Sequence, residues 1–222
     1  MKQAKKIVAL LLCAALLVGA TIAGTLAYLT STDSVTNTFT VGNVAITMDE
    51  TLVDEYGNPA KKDGTGNIVA VVNGETPERT EANIYKLIPG HTYTKDPTIK
   101  VSAGSEDCYI FVEINNGLGA DATLNMSTSW AKVSENDNDN KSVWVFGTTD
   151  DPIAVGDEAA AVVPFDKFTF GVNAKPSDHV REENGTTKSD EIVVTAYAIQ
   201  KDGLEDKTAA ELWTLFSTNS GN

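Results

Sequence analysis

The sequence predicts an all-β protein, a mainly antiparallel β-sandwich that ends in one short helix. Three observations carry this. Beyond residue 40 the apolar residues recur with period two, in runs rich in β-branched and aromatic side chains. Turn signals built from Asn, Gly, Asp and Pro interrupt the chain at short intervals, with none of the long helical patterns that βαβ units need. A single helical period stands near the C-terminus.

The elements follow in order. Val44, Ile46 and Met48 alternate with Ala45, Thr47 and Asp49, a strand pattern. Residues 55–59 and 62–67 read as turns, as do Asn73-Gly74, Asn116-Gly117 and Asn184-Gly185, because Asn and Gly tolerate positive φ. Residues 98–102, 142–146 and 167–172 are further strand candidates. Cys108, Ile110, Val112 and Ile114 form one face of a longer run, opposite Tyr109, Phe111 and Glu113. Ile192, Val194, Ala196 and Ala198 oppose Val193, Thr195, Tyr197 and Ile199 in another. Both of these longer runs are apolar on two faces, which predicts central strands covered on both sides or strands at an interface. Thr208 and Glu211 form a capping box for a helix whose Leu212, Leu215 and Phe216 share a face. That helix is expected to plug an edge or end of the sandwich.

The N-terminus reads as an export signal. Lys2, Lys5 and Lys6 make a positive n-region, an apolar run starts at Ile7, and the next charge is Asp33. Thr25 and Ala27 take positions −3 and −1 if cleavage precedes Tyr28, as a small-x-small site requires. The predicted organisation is a signal peptide over 1–27 and a secreted domain over 28–222 that begins with an extension, 28–41. The apolar stretch 7–29 is also close to the roughly 20 residues that cross a bilayer, so an uncleaved anchor is the second topology.

Removing residues 1–27 leaves 195 of the 222 residues, enough for one domain with a real core. The whole chain carries −14, and loss of the three signal-peptide lysines takes it to −17. Such a surface excludes nucleic-acid binding, which needs clustered Lys and Arg. Cys13 falls in the signal, so Cys108 is the one cysteine of the secreted domain and a disulfide framework is excluded. Its apolar alternating context predicts a buried thiol.

No catalytic constellation stands out, and the expectation is a protein that is not an enzyme. A zincin needs H-E-x-x-H, whereas His91 and His179 are far apart and sit in what read as exposed loops. No G-x-S-x-G occurs, and with 31 acids paired carboxylates arise by chance. The oxygen-rich loop 134–140, with Glu135, Asp137 and Asp139, is the best candidate for Ca²⁺. Lys141 follows where another oxygen ligand belongs, so a solvated hairpin loop is the competing reading and no cofactor is otherwise expected. Trp130, Trp144 and Trp213 could line a carbohydrate platform or pack in the core.

Three blocks carry a resemblance. They are Gly24-Thr-Leu-Ala-Tyr-Leu-Thr30 with Val35-Thr-Asn-Thr-Phe39, 41–44 and Ile46; Leu87-Ile-Pro-Gly90 with 96–101 and 108–114; and the run 192–200 followed by Asp202-Gly203 and 209–213. In this order they resemble SipW-dependent secreted proteins of the TasA/camelysin-like family of Gram-positive bacteria. The resemblance implies a jelly-roll-like sandwich, processing by a SipW-type signal peptidase, and a place in the extracellular matrix or on the cell surface. It implies a biofilm-matrix fibre subunit that polymerises with itself and meets cell-wall or matrix components. Camelysin-like metallopeptidase activity and a surface- or carbohydrate-binding module are the alternatives. Within 28–41, Leu29, Val35, Phe39 and Val41 are the side chains available to pack as an assembly strand, either in a neighbouring subunit or as the subunit's own first strand.

Overall fold

The computed structural model describes residues 44–72, 74–136, 138–183 and 186–219. The predicted signal peptide and the extension 28–41, with Thr25, Ala27, Tyr28, Leu29, Val35, Phe39 and Val41, lie outside the described residues. The strands are β1 (Ile46–Thr51), β2 (Ala60–Lys62), β3 (Ile68–Ala70), β4 (Arg79–Thr80), β5 (Thr92–Thr94), β6 (Thr98–Val101), β7 (Cys108–Asn116) and β8 (Ala122–Met126). They continue as β9 (Trp130–Asn136), β10 (Lys141–Phe146), β11 (Ala154–Val155), β12 (Phe165–Phe170), β13 (Val180–Glu183), β14 (Thr186–Ser189) and β15 (Ile192–Gln200). The helix α1 spans Ala209–Asn219. The chain is all-β apart from this helix and short 3-10 turns, and every strand pairing is antiparallel.

β7 organises the largest sheet. β15 pairs with it along its whole length, from Ile192 opposite Asn116 to Gln200 opposite Cys108. Its other edge takes β10 against residues 111–115 and β11 against residues 108–109. β9 then pairs with β10. The two-faced apolar pattern of β7 is satisfied on both sides. Cys108, Ile110, Val112 and Ile114 pack with Ile99, Val101, Trp130 and Phe165, and with Ile46 and Met48 at the margin. Tyr109 and Phe111 face the other way, into a cluster with Val143, Val145, Ala209 and Leu212. The smaller sheets β4-β1-β6 and β5-β12-β8 supply the first cover. A satellite core centres on Tyr93, whose ring stacks on Phe168 at 4.8 Å.

The second cover is α1, and this corrects the expectation of an edge plug. The helix lies on the face of the main sheet, with Leu212 fully buried and Trp213 stacked on Phe111 at 5.6 Å. Leu215, expected on the apolar face, is 45% exposed, and the buried stripe runs instead through Ala209 and Leu212. A stripe at i, i+3 and i+4 from Ala209 explains why. The capping box forms as read: Thr208 N–H donates to Glu211 Oε2 at 2.9 Å, and Glu211 N–H to Thr208 Oγ1 at 3.4 Å.

Two turns share one construction that the sequence displays as D-x-x-G-N. In both, the Asp N–H donates to the Asn carbonyl, at 2.9 Å for Asp54-Asn58 and for Asp63-Asn67. The Asp carboxylate accepts the Asn N–H in each, and the Gly between takes positive φ, 80° at Gly57 and 88° at Gly66. At Gly57 a Cβ would stand 2.9 Å from the Tyr93 Cα, so glycine is needed for space as well as for φ. The chain turns where Asn116-Gly117 predicts, at Gly117 and Leu118 directly after β7, though the positive φ falls at Gly119. Asn184-Gly185 lies outside the described residues.

Leu212→Ala removes the side chain that seats the helix and should cost about 2–5 kcal/mol, read as a lower denaturant midpoint. In the β2–β3 turn, hydrogen bonds from Thr65 and from the Asn67 and Thr65 backbone hold the Asp63 carboxyl down at about 2. A lowered folded value stabilises above the ordinary carboxylate range, and that contribution fades as pH falls through about 2. An NMR titration should place the Asp63 midpoint there, and Thr65→Ala should move it back toward the ordinary value.

Candidate functional site

The most distinctive surface is the outer edge of β15. Glu191 O accepts from Gly117 N–H, and Asp107 O accepts from Lys201 N–H. These bonds fix the ladder phase, because hydrogen-bonded pairs recur every second residue. Residues 193, 195, 197 and 199 therefore point their peptide groups at β7. The N–H and C=O of Ile192, Val194, Ala196, Ala198 and Gln200 point the other way. Among the described residues no strand pairs with that side. The edge runs nine residues with no charge, no proline and no bulge against β7, and Val193 on it is 45% exposed.

The opposite edge is built differently. β9 carries Lys132, whose Nζ bonds Glu135 at 2.8 Å and sits 5.2 Å from the Trp144 ring. A register shift also breaks its ladder between Val143 and Trp144. Charges and irregularities of this kind keep an edge from recruiting another strand. β15 has neither.

The oxygen-rich loop is the β9–β10 hairpin turn. Glu135 lies in β9 and holds Lys132, and Asp139 Oδ2 accepts from Asn136 Nδ2 at 2.9 Å. Asp137 lies outside the described residues. Among the described residues no group of three His, Cys, Asp or Glu is arranged to hold a metal ion.

Both histidines depart from the exposed loops expected. His91 is half-buried, with Nε2 2.8 Å from the Tyr56 carbonyl. His179 is buried between two carboxylates, Nε2 at 3.0 Å from Asp121 and Nδ1 at 3.2 Å from Asp190. It ties the turn before β13 to the segment leading into β8. The tryptophans do not form one platform: Trp130 and Trp144 pack with the first core cluster, and Trp213 with the third.

A second site was hidden from sequence reading. Glu50, at the far end of β1, is buried. Its Oε2 holds Lys95 Nζ at 2.8 Å and its Oε1 accepts from Asn83 Nδ2 at 3.0 Å. Tyr85 lines the same space and donates to the Thr94 carbonyl at 3.0 Å. Burial first, and then the Glu50 carboxylate, holds the Tyr85 phenol far above its ordinary value. The sequence did carry one signal, since Glu50 continues the phase of Val44, Ile46 and Met48 and puts an acid where the strand turns inward.

Cys108 is fully buried as expected, and burial, with Asp107 adding to it, pushes its thiol up to about 11. A raised folded value stabilises below the ordinary thiol range, and that share of stability is lost as pH climbs toward about 11. The native protein should therefore resist an alkylating or disulfide reagent at pH near 8 and react fully once denatured. Comparison with family models, curated proteins and solved structures gives no match to this chain.

Proposed function

We propose that this chain is an exported structural protein of the cell surface or matrix that polymerises by strand addition at the β15 edge that no described strand pairs. The carrying observation is that edge: nine uncharged residues whose outward peptide groups have no strand partner among the described residues. An added strand would satisfy five N–H and five C=O groups at once, and main-chain bonds of this kind supply affinity without a specific pocket. The donor is the extension 28–41, freed by cleavage after Ala27, with Leu29, Val35, Phe39 and Val41 entering between the sheets. Each large side chain so buried contributes about 1.5–3 kcal/mol. Head-to-tail addition does not close on itself, and the product is a filament.

The finer architecture belongs to this reading. A leader over 1–27 directs export, a SipW-type peptidase removes it, and the described sheets form a jelly-roll-like sandwich completed by the donor. The resemblance to TasA/camelysin-like secreted proteins supports a biofilm-matrix fibre, with cell-wall or matrix components as further partners.

The test uses protein that begins at Tyr28. Electron microscopy and size exclusion should show fibres. Ala196→Pro removes only an outward N–H and leaves the β7 ladder intact, so it should give a folded monomer. Deletion of 28–41 should do the same, and Phe39→Asp should weaken polymerisation because a charge must enter an apolar groove. Fibres that survive both Ala196→Pro and the deletion rule the mechanism out. A deletion that unfolds the monomer makes 28–41 the subunit's own first strand instead.

A further inference from the structure

At the end of β1 an amine and a carboxamide both hydrogen-bond to one buried carboxylate. Lys95 and Asn83 bond the two oxygens of one carboxylate, Nζ to Oε2 at 2.8 Å and Nδ2 to Oε1 at 3.0 Å. One carboxylate is thus the common partner of the amine and the amide. Glu50 is buried, its side chain 6% exposed, and Lys95 at 12% and Asn83 are half-buried beside it. The neighbouring charges are engaged elsewhere: Arg79 pairs with Asp96 at 2.9 Å and with Asp49 at 2.7 Å. Lys95 and Glu50 are left to one another.

The orientation of the Asn83 amide is forced by the backbone. Oδ1 accepts the Val53 N–H at 2.9 Å, and Nδ2 donates to the Thr51 carbonyl at 2.8 Å. A backbone N–H can only donate and a carbonyl can only accept, so the amide cannot be reversed. The carbonyl carbon therefore has a donor on its oxygen, and its nitrogen donates to the Glu50 carboxylate. A donor at the oxygen stabilises a developing oxyanion, and a carboxylate at the nitrogen can carry protons to it once it is protonated itself.

We propose that Lys95 and Asn83 become joined by an intramolecular isopeptide bond, formed by the protein itself with Glu50 as the proton carrier. Glu50 Oε2 takes a proton from Nζ along the existing hydrogen bond, which leaves a neutral amine and a neutral acid. The Nζ lone pair attacks Asn83 Cγ and a C–N bond forms. The carbonyl electron pair moves to Oδ1, where the Val53 N–H stabilises it. Glu50 passes its proton through Oε1 to Nδ2 and takes a second proton from Nζ. The bond from Cγ to Nδ2 breaks, the carbonyl reforms, and ammonia leaves with the proton that Glu50 last collected. One side-chain ammonium and one carboxamide become one amide and one free ammonium. Nothing is oxidised or reduced, and Glu50 is regenerated.

A lysine is a competent nucleophile in such a setting because desolvation and a fixed base replace the activation that water would oppose. Holding the partners in one fold supplies the proximity. The bond links the segment after β4 to the connection between β5 and β6, beside the end of β1.

Mass spectrometry decides. The folded, purified protein should be lighter than its sequence by one ammonia. Trypsin should release residues 80–86 and 87–100 as one branched species, because the joined Lys95 is no longer cleaved. Glu50→Gln, checked for fold by circular dichroism, should show the full mass and separate peptides. Lys95→Arg keeps the charge, serves if Glu50→Gln does not fold, and should also show the full mass. A folded wild-type protein at full mass overturns the proposal. So does an ammonia loss that persists in Lys95→Arg, since that is Asn83 closing on its own backbone.

Discussion

The structure depends on keeping one strand dry on both faces. β7 buries Cys108, Ile110, Val112 and Ile114 toward one layer and Tyr109 and Phe111 toward another, and all six are under 5% exposed. A strand of this composition cannot lie at a surface, because each large side chain left wet forfeits about 1.5–3 kcal/mol. Two covers are therefore required. The β4-β1-β6 and β5-β12-β8 sheets make one, and α1 makes the other. The single cysteine in the described fold is free, so this packing does the work without covalent help from a disulfide.

How much of this was legible follows from range. β1, β6, β7, β10, β12 and β15 could be read because period two needs only a few residues in a row. The capping box of α1 could be read because both partners lie within one turn. β2 to β5 could not, since strands of two or three residues are too short to display a period. Nor could the seat of α1, because Phe111 and Tyr197, which receive Trp213, lie far off in sequence. The same limit applies to the candidate sites. The run 192–199 reads alike whether its outer edge is paired or open, as pairing is a property of the neighbour. Glu50 meets Asn83 33 positions away and Lys95 45 positions away, separations that no local pattern reports.

The two edges of the main sheet carry opposite electrostatic instructions. The chain's net charge of −14 opposes self-association in general, and over distances beyond about 10 Å salt screens that repulsion. At contact range what matters is the charge on the touching surface. β9 presents Lys132 and Glu135, and a strand laid against it must accommodate both. β15 presents peptide groups and uncharged side chains only. Within the main sheet the uncharged edge is that of β15 and the charged one that of β9.

The cluster at the end of β1 makes sense on the same grounds. A buried ion pair is a poor source of stability, because the cost of drying two charges offsets most of their attraction, and well-packed apolar residues serve as well. Glu50 and Lys95 nevertheless occupy inward positions beside Tyr85, with the Asn83 amide held by two backbone contacts. The amide satisfies the Val53 N–H and the Thr51 carbonyl and meets Glu50 as well. Conversion to an amide accounts for all three groups at once. It makes the contact permanent, and the new amide N–H is left to donate to Glu50. It would also tie the segment after β4 to the β5–β6 connection beside the end of β1, groups that only non-covalent contacts otherwise hold together.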